Sequence, residues 1–198
     1  GLLVRSSDLL LDSGTLQAFE EERDLLRRPA STIGASPRYD WDAMYAWLTW
    51  FLLTARGWGK TAAAALSIIR MIERGEVREM GMAAQNDVKT YDVNVCGLID
   101  AAPPRFVPEW IDSEAKLVFP NGAQAYAFTP EAPANIRSKN LDLAWMSELQ
   151  SWPETTRKEA YLNFKFATRV GKARTIVDCT PKKGHPIIVK LLKAVEKN

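Results

Sequence analysis

Cysteine and histidine are nearly absent from this chain. Among 198 residues, only Cys96 and Cys179 carry thiols and only His185 carries an imidazole. Two distant thiols form neither a disulfide framework nor a Cys-rich metal site, and the simple expectation is reduced, cytosolic chemistry. A lone imidazole excludes any constellation that needs two. No apolar stretch reaches the ~18 residues of a membrane span. The opening Gly-Leu-Leu-Val-Arg lacks the basic region and long apolar core of a signal peptide. Charge of one sign is missing too: 26 Lys and Arg against 24 Asp and Glu leave a net +2. Bulk charge therefore points to no nucleic-acid partner, although a local basic edge would suffice for one.

What is present is an ordinary globular composition, 46% hydrophobic and 25% charged, in a length that fits one domain with an extension. A charged helix is predicted over residues 15–28, with Leu16, Phe19, Arg23 and Leu26 on one face. A loop over 28–36 follows, so residues 1–36 read as an extension and linker, and 37–198 as the domain. Trp41, Tyr45 and Trp47 precede an apolar strand over 48–53, which ends in Gly57, Gly59, Lys60 and Thr61. The Ala-rich stretch 62–72 reads as a helix stopped by Gly75. Strands are predicted over 78–84, 141–146 and 175–179. Helices are predicted over 87–101, capped by Asp87, over 153–169, and from Pro186 onward. Pro120-Asn121-Gly122 predicts a tight hairpin turn between 116–119 and 123–128, because Asn-Gly tolerates positive φ. Strand–helix alternation with one hairpin predicts an α/β fold with a mainly parallel sheet and crossover helices.

The strand, glycine turn and helix start at 50–61 form the context of a phosphate-binding loop. The strict pattern places Gly at position 54, where this chain has Thr54. Backbone N–H groups from Arg56 to Thr61 would wrap the phosphates, Lys60 would reach the β- and γ-phosphates, and the Thr61 hydroxyl would ligate Mg²⁺. A nucleoside triphosphate with a metal is the ligand class this implies. The strand over 141–146 leads into Ser147 and Glu148, and a strand-end carboxylate is where such ATPases orient the attacking water. Ser147 stands where an acidic residue would hold the metal's water shell. Asp178-Cys179-Thr180-Pro181, at the end of the last strand, is placed to sense the γ-phosphate. Arg56 in the loop and Arg137 in a Pro-containing segment are candidates to supply charge to the transition state.

Taken in this order, the motifs resemble those of the ATPase domain of tailed-phage terminase large subunits, the motors that package DNA into procapsids. The resemblance rests on residues 47–61, 103–110, 119–123, 135–149 and 178–181. It implies a three-layer P-loop NTPase fold of the ASCE type and ATP-driven translocation of double-stranded DNA, with ATP and Mg²⁺ as ligands. By position it implies nucleotide contacts from Thr54, Ala55, Arg56, Gly57, Trp58, Gly59, Lys60 and Thr61, and from Cys179 and Thr180 as the coupling motif. Glu148 matches the catalytic carboxylate, joined by Lys60, Arg56 and Arg137, the last able to enter a neighbour's site. Thr61, and Ser147 through a water, would hold the metal. The implied partners are a portal protein, a small terminase subunit and further copies in a homo-oligomeric ring, in the host cytoplasm and away from membranes. The chain ends soon after the coupling motif, so the expectation is the ATPase half without the nuclease domain. A helicase-like translocase domain and a nucleotide-binding module with weak or no hydrolysis remain the alternatives.

Overall fold

The structure, a computed structural model, describes residues 49–182, 185, 186, 188 and 189. The predicted helix over 15–28, its linker, the Trp41–Trp47 cluster, the 36/37 boundary and most of the final helix lie outside the described residues.

Seven strands form one sheet among the described residues: β1 (Thr49–Leu53), β2 (Glu79–Ala83), β3 (Glu109–Ile111), β4 (Lys116–Val118), β5 (Gln124–Ala127), β6 (Leu143–Ser147) and β7 (Arg174–Cys179). Their order is β1-β7-β6-β2-β5-β4-β3. The pairs from β1 to β5 are parallel, and β5–β4 and β4–β3 are antiparallel. The helices are α1 (Lys60–Glu73), α2 (Asp87–Lys89), α3 (Cys96–Ala101) and α4 (Glu154–Ala167), with a π-helical segment, Thr90–Val95, joining α2 to α3. No helix among the described residues is long and apolar enough to cross a membrane.

Side-chain alternation divides the core into two faces. Trp50, Leu52, Met80, Met82, Leu143, Trp145 and Ile176 pack with Ala64, Ile68 and Ile72 of α1. Phe51, Ala83, Ala144, Met146, Val177 and Cys179 pack with Ala160, Phe164 and Ala167 of α4. Burial on both faces is why the central strands read as unbroken apolar runs. Gly81 in β2 is required by this packing: a Cβ there would lie 2.7 Å from Leu141 Cδ1 and 3.0 Å from Phe164 Cε1.

The structure corrects several local expectations. The cap of α2 is Asn86, whose side chain accepts from the Lys89 N–H at 2.9 Å, rather than Asp87. In the β4–β5 turn only Gly122 takes a positive φ, of 84°. Asn121 instead uses its side chain, donating to Ile72 O at 2.7 Å and accepting from Ala123 N at 3.1 Å. The Pro-containing segment around Arg137 is a 3-10 helix, Pro133–Ser138, packed against α4. Strand β3 carries three residues of mixed exposure, too short a pattern to be read beforehand.

Candidate active site

The loop leaves β1 at Leu53 and turns into α1 at Lys60. Gly57 and Gly59 have φ of 79° and 93°, a region open to glycine without cost. Space does not demand them, since a Cβ on either would meet nothing within 4 Å; the backbone conformation does. Gly59 caps α1 without a side-chain bond, and no acidic residue occupies the helix's first turn. Unpaired N–H groups and the positive end of a 14-residue helix therefore face the loop, which suits an anion. Thr54 is buried, and its N–H donates to Cys179 O at 3.2 Å, tying the loop to the end of β7. Ala55 and Arg56 are exposed, and Trp58 and Thr61 are half-buried.

Three residues predicted for the chemistry converge beside this loop. The Lys60 ammonium is 2.6 Å from Glu148 Oε1 and donates to Thr180 Oγ1 at 3.1 Å. Thr180 donates to the same Glu148 oxygen at 2.8 Å, and Gln150 Nε2 donates to Glu148 Oε2. Lys60 and Thr180 lie 120 residues apart in the chain; the order β1-β7-β6 puts their strand ends side by side. Glu148 has φ 48° and ψ 45°, a left-handed conformation that costs a non-glycine residue about 1–3 kcal/mol and clusters at functional sites. Burial alone would raise the Glu148 carboxyl, but the bonds from Lys60, Thr180 and Gln150 outweigh it and hold it below its ordinary value.

Beneath this cluster lies a buried polar group. Asp178 is fully buried; its Oδ2 accepts from Trp145 Nε1 and Ser147 Oγ, each at 2.9 Å, and its Oδ1 from Glu148 N at 3.2 Å. Burial pushes its carboxyl above the ordinary value, against the pull of those three donors and the Lys60 charge. Asn94 Nδ2 donates to Ser147 Oγ at 2.9 Å. Asn94 Oδ1 and Gln150 Oε1 are buried without a partner.

Two expectations change here. Ser147 is wholly buried, with its hydroxyl committed to Asp178 and Asn94, so it does not stand open to a metal-bound water by itself. The Cys179 side chain points into the hydrophobic cluster on the α4 face, where burial pushes its thiol up to about 12. Only its carbonyl reaches the loop. Arg137 donates to Asn163 Oδ1 at 2.8 Å and pairs with Glu159 at 3.2 Å, both on α4; none of its polar partners belongs to the loop. Asn94 and Gln150 escaped the sequence reading because nothing local marks them. The pairing of Ser147 with Asp178 was findable only by setting the ends of two strands in register.

The donor set suits Mg²⁺. Thr61, Asp178 and Glu148 offer hard oxygen atoms, and Asn94 Oδ1 is an unpartnered buried acceptor. No group of three or more His, Cys, Asp or Glu among the described residues could hold a metal alone.

A glycine loop at a strand–helix junction, with the catalytic glutamate candidate two strands away and one strand interposed, defines a P-loop NTPase fold of the ASCE type. Residues 51–198 match the family described as "Terminase large subunit, T4likevirus-type, N-terminal", and the chain belongs to that family. Among solved structures, the large terminase of a thermophilic bacteriophage is similar with TM-score 0.61 and 16% identity, over 74% of this chain and 37% of that one. The large terminase ATPase domain of Thermus phage P74-26 is similar with TM-score 0.55 and 16% identity, over 78% and 70%. The bacteriophage Phi-29 viral genome packaging motor assembly gives 0.52 and 16%, over 73% and 47%. The chain thus spans little more than a third of the first of these proteins. No curated protein sequence is detectably similar to it.

Proposed function

We propose that this chain is the ATP-hydrolysing motor domain of a terminase large subunit, which drives double-stranded DNA into a procapsid. The observation that carries the hydrolase reading is the convergence of Lys60, Glu148 and Thr180 at the N-terminus of α1. Family membership supports the packaging role. The large terminase of the thermophilic bacteriophage has been solved with ATP-γ-S and with ADP, which supports the choice of nucleotide.

Lys60 neutralises Glu148 directly, at 2.6 Å. An incoming triphosphate competes for the same ammonium, because its γ-phosphate carries more charge than one carboxylate. Once Lys60 turns to the phosphates, Glu148 is free to orient a water and accept its proton. Thr180 touches both partners of the broken pair, so it registers whether Lys60 has moved. This is a physical route from nucleotide state to the end of β7. Bound Mg²⁺, held by the Thr61 hydroxyl, would neutralise charge on the β- and γ-phosphates. Arg56, exposed in the loop, is free to reach the phosphates. Arg137 would serve a neighbouring copy in a ring after leaving Glu159. Portal protein and small terminase subunit are the expected further partners, in the host cytoplasm.

The test is steady-state ATP turnover and nucleotide binding of the chain against Glu148→Gln. Loss of an acting base lowers turnover by about 10²–10⁴-fold with binding retained. Equal turnover in both proteins, or binding without any hydrolysis in the parent, would leave a nucleotide-binding module instead.

A further inference from the structure

Position 147, directly before Glu148 at the end of β6, carries no charge. The register of the sheet pairs it with Asp178 on β7, and the two side chains are joined by a 2.9 Å hydrogen bond. We propose that Asp178, acting from the neighbouring strand, supplies the carboxylate that anchors the water shell of the nucleotide's Mg²⁺, with Asn94 Oδ1 as a second acceptor. This rests on the nucleotide-hydrolase reading above.

The alternation along β7 fixes the direction of Asp178. Ile176 lies in the cluster on the α1 face and Val177 and Cys179 in the cluster on the α4 face. Asp178 therefore faces α1, whose first residues are Lys60 and Thr61. Every protein group that touches its carboxylate is a donor: an indole N–H, a hydroxyl and a backbone N–H. Oδ1, with a single donor, keeps acceptor capacity. Coordinated water is a donor toward the protein, so it needs acceptors at this place.

Asn94 provides the independent observation. It is fully buried, yet its Oδ1 has no partner, while its amide holds Ser147 Oγ at 2.9 Å. Leaving a buried carbonyl oxygen without a hydrogen bond is costly, and a coordinated water would supply that bond. Asn94 sits on the π-helical segment Thr90–Val95, and such segments are frequent at functional sites. In this arrangement Ser147 is the spacer. It bonds Asp178 and Asn94 at once and so ties the two acceptor side chains together.

The experiment follows binding of fluorescently labelled ADP across an Mg²⁺ titration, with circular dichroism to check folding. Three proteins are compared: the parent, Asp178→Asn, and the exchange Ser147→Asp with Asp178→Ser. Asp178→Asn should raise the Mg²⁺ concentration of half-effect about 10–100-fold while metal-free ADP affinity stays within about twofold. The exchange should restore most of the Mg²⁺ response. A purely structural Asp178 would shift stability and leave the Mg²⁺ midpoint in place, which would overturn the proposal while the hydrolase reading stands. A parent that binds no ADP with or without Mg²⁺ would overturn both. If Asp178→Asn fails to fold, the exchange decides: folded with the parent's Mg²⁺ response supports the proposal, folded without it rejects the proposal.

Discussion

The two ends of the parallel sheet treat charge in opposite ways. At the N-terminal ends of β2, β6 and β7, charges are closed off by fixed protein partners. Asp142 accepts from the backbone N–H groups of Arg78 and Glu79 at 2.7 and 3.1 Å. Arg174, almost fully buried, donates to Glu76 at 2.8 Å and contacts the Met71 sulfur. At the C-terminal ends of β1, β6 and β7, Glu148 is held in a left-handed conformation and Lys60 is lent to it. Asn94 and Gln150 there keep unpartnered oxygens. Polar groups that a protein leaves unmatched in its own interior are matched by something else. The first end is closed by the protein's own partners, and the second keeps acceptors that the protein itself does not fill.

Variants can break that contrast. The largest expected effect is at the ligand end: Lys60→Ala should lower ATP turnover by about 10²–10³-fold, as removal of one preorganised charge from a transition state does. Its unfolding free energy should change by about 1 kcal/mol, because the pair it leaves is part-exposed. Turnover assays and urea unfolding of one preparation measure both. A collapse of stability with turnover per folded molecule intact would reverse the assignment of the two ends.

At the closed end the order of effects inverts. Arg174→Met leaves Glu76 only its longer, 3.8 Å pair with Arg74 and should cost about 2 kcal/mol. That is below the 3–5 kcal/mol of a fully buried pair, because Glu76 keeps contact with water. Gly81→Ala, in the middle of β2, should cost about 1–3 kcal/mol as Leu141, Phe164 and Phe128 move aside. Both should show in the urea midpoint while the affinity for ADP with Mg²⁺ stays at the parent value. A weakened ADP affinity in either variant would mean that the two ends are coupled through the strands.

The same contrast explains what the sequence made legible. Central strands such as Trp50-Phe51-Leu52 and Leu143-Ala144-Trp145-Met146 announce themselves because helices cover both their faces. The loop was readable despite Thr54 because its two positive-φ positions are glycines in a strand–helix context. Lys60, Glu148 and Thr180 were readable as strand-end or helix-start residues, and the sheet order brings them together. What stayed hidden depends on lateral register. Ser147 looked like a missing charge along β6, whereas across to β7 a carboxylate stands beside it. Asn94 lies on a π-helical segment that has no sequence period of its own. Cys179 was read by position within a motif, but alternation turns its side chain to the opposite face.

The smallest effect is a pH dependence that separates the two carboxylates at the ligand end. The folded Glu148 carboxyl sits below its ordinary value, so folding favours its ionised form. Its contribution is fully present above the unfolded value and is lost as pH falls through the lowered folded one. Asp178 is raised by burial, so its contribution has the opposite sign: it is present at low pH and lost as pH rises through the folded value. Glu148 is half exposed and solvent screens it, so the difference is a shallow slope rather than a step. Urea midpoints of the parent and Glu148→Gln, compared without nucleotide or Mg²⁺ from neutral pH down into the carboxylate range, isolate it. The gap between the two curves should narrow as pH falls. Parallel curves would mean that Lys60 does not hold Glu148 in the free protein, and the competition between carboxylate and phosphate for that ammonium would lose its basis.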